Sequence, residues 1–220
     1  DKVKFYTGLY HALLGRGLAS DVNGAYPRND GSVGQLPMKE GTPLYNIYNT
    51  DAAWGAQWNL SQLWILAYPE YMSEYISSHL QAYKDAGWLA DGLANNRYVS
   101  GVGTNLLSTI IAGAYECGIR DFDTNIAYEA CLKNELEGKN RPFGAGKVNT
   151  TEFVKYGYVP HQDAGEDYHE TFMFSASHTL EYSYSAWAVA QWAKQLGDEA
   201  HYSQLMDLSK GWERLYDSSC

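Results

Sequence analysis

The stretch Ser175 to Gly197, SASHTLEYSYSAWAVAQWAKQLG, limits the fold more than any other part of the chain. Leu180, Tyr184, Trp187, Ala188, Ala190, Trp192, Ala193 and Leu196 leave almost no polar face, so a helix here is expected to be buried nearly all round. His178 and Glu181 fall in its first turn on this reading, where the helix N-terminus favours a carboxylate and often opens onto a cavity. Gly197 supplies the stop, and Asp198 caps a second helix running to Tyr216. In that helix Tyr202, Leu205, Met206, Ser209 and Tyr216 form one stripe, with the charged residues largely off it. An inner helix followed by an outer one is typical of layered helical toroids and solenoids.

The rest of the chain reads as helices joined by long loops, about seven helices in all by periodicity and stop signals. Phe5 to Leu14 is a first helix, and Arg16 to Thr50 is loop-like, with short strands possible near Tyr26 and Tyr45–Tyr48. Ala52 to Tyr68 is a second helix, stopped by Pro69, which also opens the third. The third buries Met72, Tyr75, Ile76, Leu80 and Tyr83 and ends at Gly87. Thr104 to Cys117 and Asp123 to Glu137 are a fourth and fifth, the latter with an Asp N-cap. Glu152 to Tyr156 is at most a short helix, and His161 to Phe174 is a long polar loop. No fixed-period repeat and no composition break appears, so residues 1–220 read as one domain.

Composition narrows the function classes. A net charge of −10 and a pI near 5.0 argue against nucleic acid, which requires a basic face. No apolar run reaches membrane-spanning length, and no charged-then-apolar leader opens the sequence. The 19 Tyr and 7 Trp suit either a helical core or the stacking surfaces that sugar rings use. Cys117, Cys131 and Cys220 lack metal-ligand spacing; a Cys117–Cys131 bridge and buried free thiols both fit the sequence.

The chemistry-bearing candidates are few. In Asp51-Ala-Ala-Trp-Gly-Ala-Gln-Trp-Asn, Trp54 and Trp58 share one helix face, and Gln57 and Asn59 carry amides that both donate and accept. An aromatic platform beside amides suits neutral sugar hydroxyls, and a buried helix with backbone-satisfied amides fits equally. Acidic candidates are Asp21, Asp51, Asp163, Glu166, Asp167, Glu170 and Glu181. Glu181 stands out because its helix is otherwise so apolar; its alternative is a residue placed by the helix dipole. His161, His169 and His178 cluster in sequence, at spacings too wide for a typical metal motif. Nucleotide-binding, zinc-protease, calcium-loop and serine-elbow motifs are absent.

The run S-x-TLEY-x-Y-x-x-W-x-x-A-Q-x-A-K-x-LG resembles the catalytic domain of glycoside hydrolase family 92. FYTGLYHALL, SDVNGAY, the Trp54 helix to Pro69, GIRDFDTNIAYEA and GYVP fit the same family in the same order. The resemblance implies an all-α partial (α/α)6 toroid of inner and outer helices with long loops. It further implies a calcium-dependent, inverting exo-α-1,2-mannosidase-like enzyme, secreted or periplasmic, with any signal peptide outside this chain. From its own setting Glu181 is the candidate catalytic carboxylate, and Asp21, Trp54, Gln57, Trp58, Asn59 and His178 are candidates for contacting sugar, with only Trp54 kept from the family's sugar-contact arrangement.

Departures from the family are as informative. Its Trp-Asp-Thr-x-Arg arrangement becomes Trp54, Gly55, Ala56 and Trp58, and its paired Asp become Ser185 and Ala186. The family's acid, base and most calcium ligands are expected from motifs beyond Cys220, so this chain alone is expected to be inactive. A non-catalytic glycan-binding or structural helical protein is the rival reading. Trp54, Gln57, Asn59 and Glu181 are expected to line one cavity. A toroid of about a dozen helices cannot close from about seven, so an apolar face is expected to self-associate or dock on a missing C-terminal segment.

Overall fold

The computed structural model describes residues 1–14, 17–50, 53–99, 103–161 and 174–219. Nine α-helices and one 3-10 helix account for most of them, with three two-stranded antiparallel hairpins of two or three residues per strand. The first helix, α1, spans Lys2–Leu13 and buries none of its residues. The hairpin of β1 (Ala25–Pro27) and β2 (Val33–Gln35) follows, then that of β3 (Met38–Lys39) and β4 (Thr42–Pro43). Gly34 is required in β2, because a Cβ there would stand 2.3 Å from the Tyr26 ring across the register. Around Tyr45–Tyr48 no strand forms beyond a single bridge between Leu18 and Tyr48.

This loop-rich arm is pinned to α4 (Pro69–Ala86) by side chains. Tyr26 Oη donates to Asp85 at 2.8 Å, Tyr45 Oη to Gln81 at 2.7 Å and Tyr48 Oη to Glu74 at 2.8 Å. Burial and the Asp85 carboxylate push the Tyr26 phenol up to about 12, so it stays a donor. Helix α4 follows the sequence closely: Pro69 takes its first position, and Met72, Tyr75, Ile76, Leu80 and Tyr83 are buried. Gly87 closes it with φ 80°, donating its N–H to the Tyr83 carbonyl at 2.7 Å.

The expected continuous helix before Pro69 is broken in two, α2 (Ala53–Ala56) and α3 (Leu60–Ala67). Asn59 lies between them at φ −155°, and the Gln57 carbonyl is taken by the Ser61 hydroxyl and the Gln62 amide. Such side-chain competition for a carbonyl favours a break over a continuous ladder. Strands β5 (Gly92–Ala94) and β6 (Arg97–Val99) form the third hairpin. Its approach fixes α2, since Ala53 N donates to the Asp91 carbonyl at 2.8 Å.

Helices α5 (Leu107–Glu116), α6 (Thr124–Leu136), α7 (Thr150–Tyr156), α8 (Ser175–Leu196) and α9 (Glu199–Leu208) complete the packing. Asp123 caps α6 as expected, accepting from Ile126 N at 3.2 Å, an arrangement of about 1 kcal/mol. Asp198 caps α9, but that helix stops at Leu208 and a 3-10 turn, Gly211–Leu215, replaces its expected continuation. Helix α8 packs on α5, α6 and α9. The core gathers Trp64, Tyr75, Ile111, Tyr182, Val189 and Trp192, with Trp192 stacked 4.4 Å from Tyr115.

Helix α8 is not buried all round. Leu180, Tyr184, Trp187 and Leu196 are roughly half exposed, so a stripe of large apolar residues faces outward while Tyr182, Val189 and Trp192 face the core. The chain begins α8 at Ser175, which moves Glu181 from the expected first turn into the second and leaves His178 in the first. Cys117 is exposed and Cys131 buried, and both are free thiols. Asp51 and residues 162–173, with Asp163, Glu166, Asp167, His169 and Glu170, lie outside the described residues.

Candidate functional site

Two segments far apart in sequence meet where α2 reaches α8. The indole Nε1 of Trp54 donates to Oε1 of Glu181 at 2.8 Å, across 127 residues. The other carboxylate oxygen, Oε2, is buried and has no hydrogen-bond partner among the described residues. A carboxyl group with one oxygen oriented by an N–H and the other uncommitted is arranged to meet an incoming polar group. Trp58 sets its ring edge-on to Trp54, centroids 4.7 Å apart, and is 59% exposed. The two indoles therefore form an aromatic wall with one end of it open to solvent.

The other sequence candidates distribute unevenly. Gln57 is buried on the same short segment as Trp54 and faces a neighbouring cleft, whose lining includes neither Trp54, Asn59 nor Glu181. The single shared cavity expected from sequence is thus two adjoining features. Asn59 is exposed at the N-terminus of α3, where its carbonyl accepts from Leu63 N. His178 is buried and stacked 5.5 Å from the Tyr182 ring, within the packing of α8. Asp21 is exposed in the turn before β1, held by backbone bonds with Gly24 and Ala25, and no hydrogen bond joins it to Trp54 or Glu181.

Beneath Glu181 lies a polar cluster that sequence reasoning missed. Lys147 Nζ donates to both oxygens of Glu135, at 2.6 and 2.5 Å, with both side chains 1% exposed. Lys147 also donates to Ser185 Oγ, which in turn donates to Glu135 Oε2 at 2.9 Å. Ser108 donates to Glu135 from α5, and Asn134 Nδ2 donates to the Ser108 hydroxyl at 3.3 Å. Burial lowers the Lys147 ammonium, opposed mainly by the Glu135 charge, and the Glu181 carboxylate acts on it in the same sense as Glu135. Ser185 sits one helical turn after Glu181, so the cluster grips α8 directly behind the site.

The signal for Glu135 was present, though faint. Ala127, Ala130, Cys131 and Asn134 mark the buried face of α6, and Glu135 falls four residues after Cys131 on it. Lys147 gave none, because a lysine in the glycine-rich loop Gly144 to Val148 reads as a surface residue. Ser185 and Ala186, where the family has paired Asp, are both buried and uncharged here. At Gly55 an added Cβ meets nothing within 4 Å, so that position has room for a side chain.

Among the described residues no group of three or more His, Cys, Asp or Glu side chains is placed to hold a metal. The calcium implied by the resemblance needs six to eight oxygen ligands, and this donor set does not fit it. No helix among the described residues is long and apolar enough to cross a membrane.

Comparison with known proteins gives a consistent picture. The model of the glycosyl hydrolase family 92 catalytic domain matches residues 1–220. A protein from Arthroderma benhamiae described as an uncharacterized secreted glycosidase is 33% identical over 161 residues, which is 70% of this chain and 20% of that one. Two solved structures share the fold, both from Bacteroides thetaiotaomicron. A family GH92 α-mannosidase superposes with a TM-score of 0.79 at 23% identity, over 97% of this chain and 26% of its own. A family GH92 inverting mannosidase gives 0.80 at 23% identity, over 97% and 27%. The chain thus spans about a quarter of the solved relatives and a fifth of the fungal one.

Proposed function

Because this chain belongs to the glycosyl hydrolase family 92 catalytic domain family, we propose that it is a sugar-binding part of a glycoside hydrolase acting on α-mannose-type glycans. The observation that carries this is the bond from Trp54 to Glu181, which joins two family-like segments into one site. Inverting hydrolysis uses two carboxyl groups on opposite sides of the glycosidic bond, about 6.5–9.5 Å apart so that a water fits between them. Glu181 is the carboxylate this chain brings to the site, with Oε1 fixed by the indole and Oε2 buried without a partner among the described residues. Trp54 and Trp58 supply the apolar wall, and Gln57 faces the adjoining cleft. Glu135 cannot serve as the second carboxyl group, because Lys147, Ser108 and Ser185 already occupy it. The matching fungal glycosidase is described as secreted, which supports an extracellular or periplasmic setting.

The test is sugar binding rather than turnover. Methyl α-mannoside is expected to bind the chain, measured by calorimetry, and Glu181→Gln is expected to weaken it about tenfold, the worth of one charge-assisted hydrogen bond. Unchanged affinity in Glu181→Gln overturns the assignment. Aryl α-mannosides are expected to show no turnover with this chain alone; turnover abolished by Glu181→Gln would place a second carboxyl group within these 220 residues. Loss of the family's Asp and Arg positions at Gly55 and Trp58 favours binding without cleavage as the second reading.

The exposed apolar surfaces suit a part of an (α/α)6 toroid whose other helices cover them. Val3, Phe5, Tyr6 and Tyr10 on α1 are more than 60% exposed, and Leu180 on α8 and Trp212 in the 3-10 turn are about half exposed. Contiguous exposed apolar patches mark contact surfaces. The isolated chain is expected to self-associate with rising concentration in light scattering. A monomer at high concentration that binds no apolar dye would show that these faces need no partner.

A further inference from the structure

The bond between Trp54 and Glu181 closes a ring of contacts that runs through the interior and back. Trp54 stands on α2, which at four residues holds itself by little more than the bond from Gln57 N to the Ala53 carbonyl. Its place is set from outside. Ala53 N donates to the Asp91 carbonyl at 2.8 Å. Just upstream, Thr50 N donates to the Leu93 carbonyl and the Thr50 hydroxyl accepts from Leu93 N, each at 2.9 Å. The Asp91 side chain reaches the other way: the residue is 1% exposed, and its Oδ2 accepts from Gly103 N at 3.4 Å. The Gly103 carbonyl accepts from Val148 N at 3.0 Å. The Tyr182 hydroxyl donates to the Val148 carbonyl at 2.6 Å, with the Gly103 carbonyl a second acceptor at 3.2 Å. Tyr182 follows Glu181 on α8, and there the ring returns to its start.

We propose that Asp91 and Tyr182 are positioning residues for the Trp54–Glu181 pair, joined to each other by the Gly103 and Val148 backbone. Asp91 holds the indole side through Ala53, and Tyr182 holds the carboxylate side through α8. The proposal rests on the reading of that pair as the sugar site and says how the pair is kept in place. Successive helix residues point about 100° apart, so a phenol anchored on the core side fixes the turn of α8 about its axis and with it the direction of Glu181. The Tyr182 ring is itself held, edge-on to Phe153 at 5.4 Å and stacked on His178 at 5.5 Å. Burial keeps its phenol well above the ordinary tyrosine range, so it stays a donor. A binding constellation needs its groups fixed to about half an ångström, and the shared loop backbone ties α2 and α8 to one reference.

The indole N–H signals in the proton NMR spectrum test this, because a hydrogen-bonded N–H exchanges with water more slowly than an open one. Trp54→Phe identifies the Trp54 signal, and Glu181→Ala gives its exchange rate without the bond. Tyr182→Phe and Asp91→Ala are expected to speed Trp54 exchange about five- to tenfold. Trp64 and Trp192, both wholly buried, are expected to keep their parent rates. Asp91→Asn is expected to behave as the parent, since an amide oxygen still accepts from Gly103 N. In calorimetry Tyr182→Phe and Asp91→Ala are expected to bind methyl α-mannoside about fivefold more weakly. Equal acceleration of all three indoles would mean a general loss of stability and overturns the positioning role. A Trp54 rate that ignores both variants overturns it as well, as does Asp91→Asn matching Asp91→Ala. Faster Trp54 exchange in both variants, with no binding of methyl α-mannoside by the parent at millimolar concentration, supports the positioning and overturns the sugar reading. A Trp54 rate that Glu181→Ala leaves unchanged overturns both. Tyr182→Phe keeps the aromatic ring and carries the test alone if Asp91→Ala does not fold.

Discussion

Lys147→Met is expected to lose about 3–5 kcal/mol of stability in urea unfolding, the cost of leaving one charge of a buried pair without its partner. Lys147 and Glu135 are each 1% exposed and meet at 2.5–2.6 Å, so no water shares their charge. With the ammonium gone, the Glu135 carboxylate retains the Ser108 and Ser185 hydroxyls but has no counter-charge. Glu135→Leu is expected to cost a similar amount for the mirror reason. The double variant Lys147→Met/Glu135→Leu is expected to lose far less than the sum, since two apolar groups leave no buried charge. Additive losses would show that the two residues do not act as a pair. Because Ser185 lies a turn from Glu181, the single variants are also expected to weaken methyl α-mannoside binding, and the double variant to recover part of it.

The helices legible in the sequence were those whose ends carry chemistry of their own. Pro69 and Gly87 delimit α4, Asp123 starts α6, and Gly197 followed by Asp198 separates α8 from α9. Where the end depends on a side chain competing for a carbonyl, as at Gln57, periodicity ran through the break. Apolar residue type also overstated burial on α8: Leu180, Tyr184 and Trp187 look like core residues, and only the packing of α5, α6 and α9 decides which face is covered. For the site, Glu181 was visible as a carboxylate on an apolar helix and Trp54 as an aromatic among amides. Their contact spans 127 residues and follows from how Asp91 fixes α2, which no local pattern encodes. Asp21 and Asn59 show the converse, polar residues in suggestive segments that the backbone turns outward.

Acid is expected to weaken this fold before its carboxylates titrate, and His79 is the reason. The imidazole is wholly buried on α4, edge-on to Tyr75 at 4.8 Å, and neither ring nitrogen has a hydrogen-bond partner among the described residues. Burial alone pushes it down from 6.5 to about 3. Below pH 6.5 the unfolded chain therefore takes up a proton that the folded chain refuses, so stability is full above 6.5 and falls as pH drops toward 3. At pH 5 the gap from 6.5 amounts to about 2 kcal/mol, at 1.36 kcal/mol per pH unit. His79→Leu replaces a ring that makes no polar contact with an apolar group of similar bulk, so at pH 7 it is expected to cost little. Between pH 7 and pH 5 it is expected to lose about 2 kcal/mol less than the parent chain, because the carboxylate contributions are common to both and cancel. Urea unfolding of the two proteins at both pH values measures the difference; parallel losses would mean that His79 binds its proton in the folded state as readily as in the unfolded one.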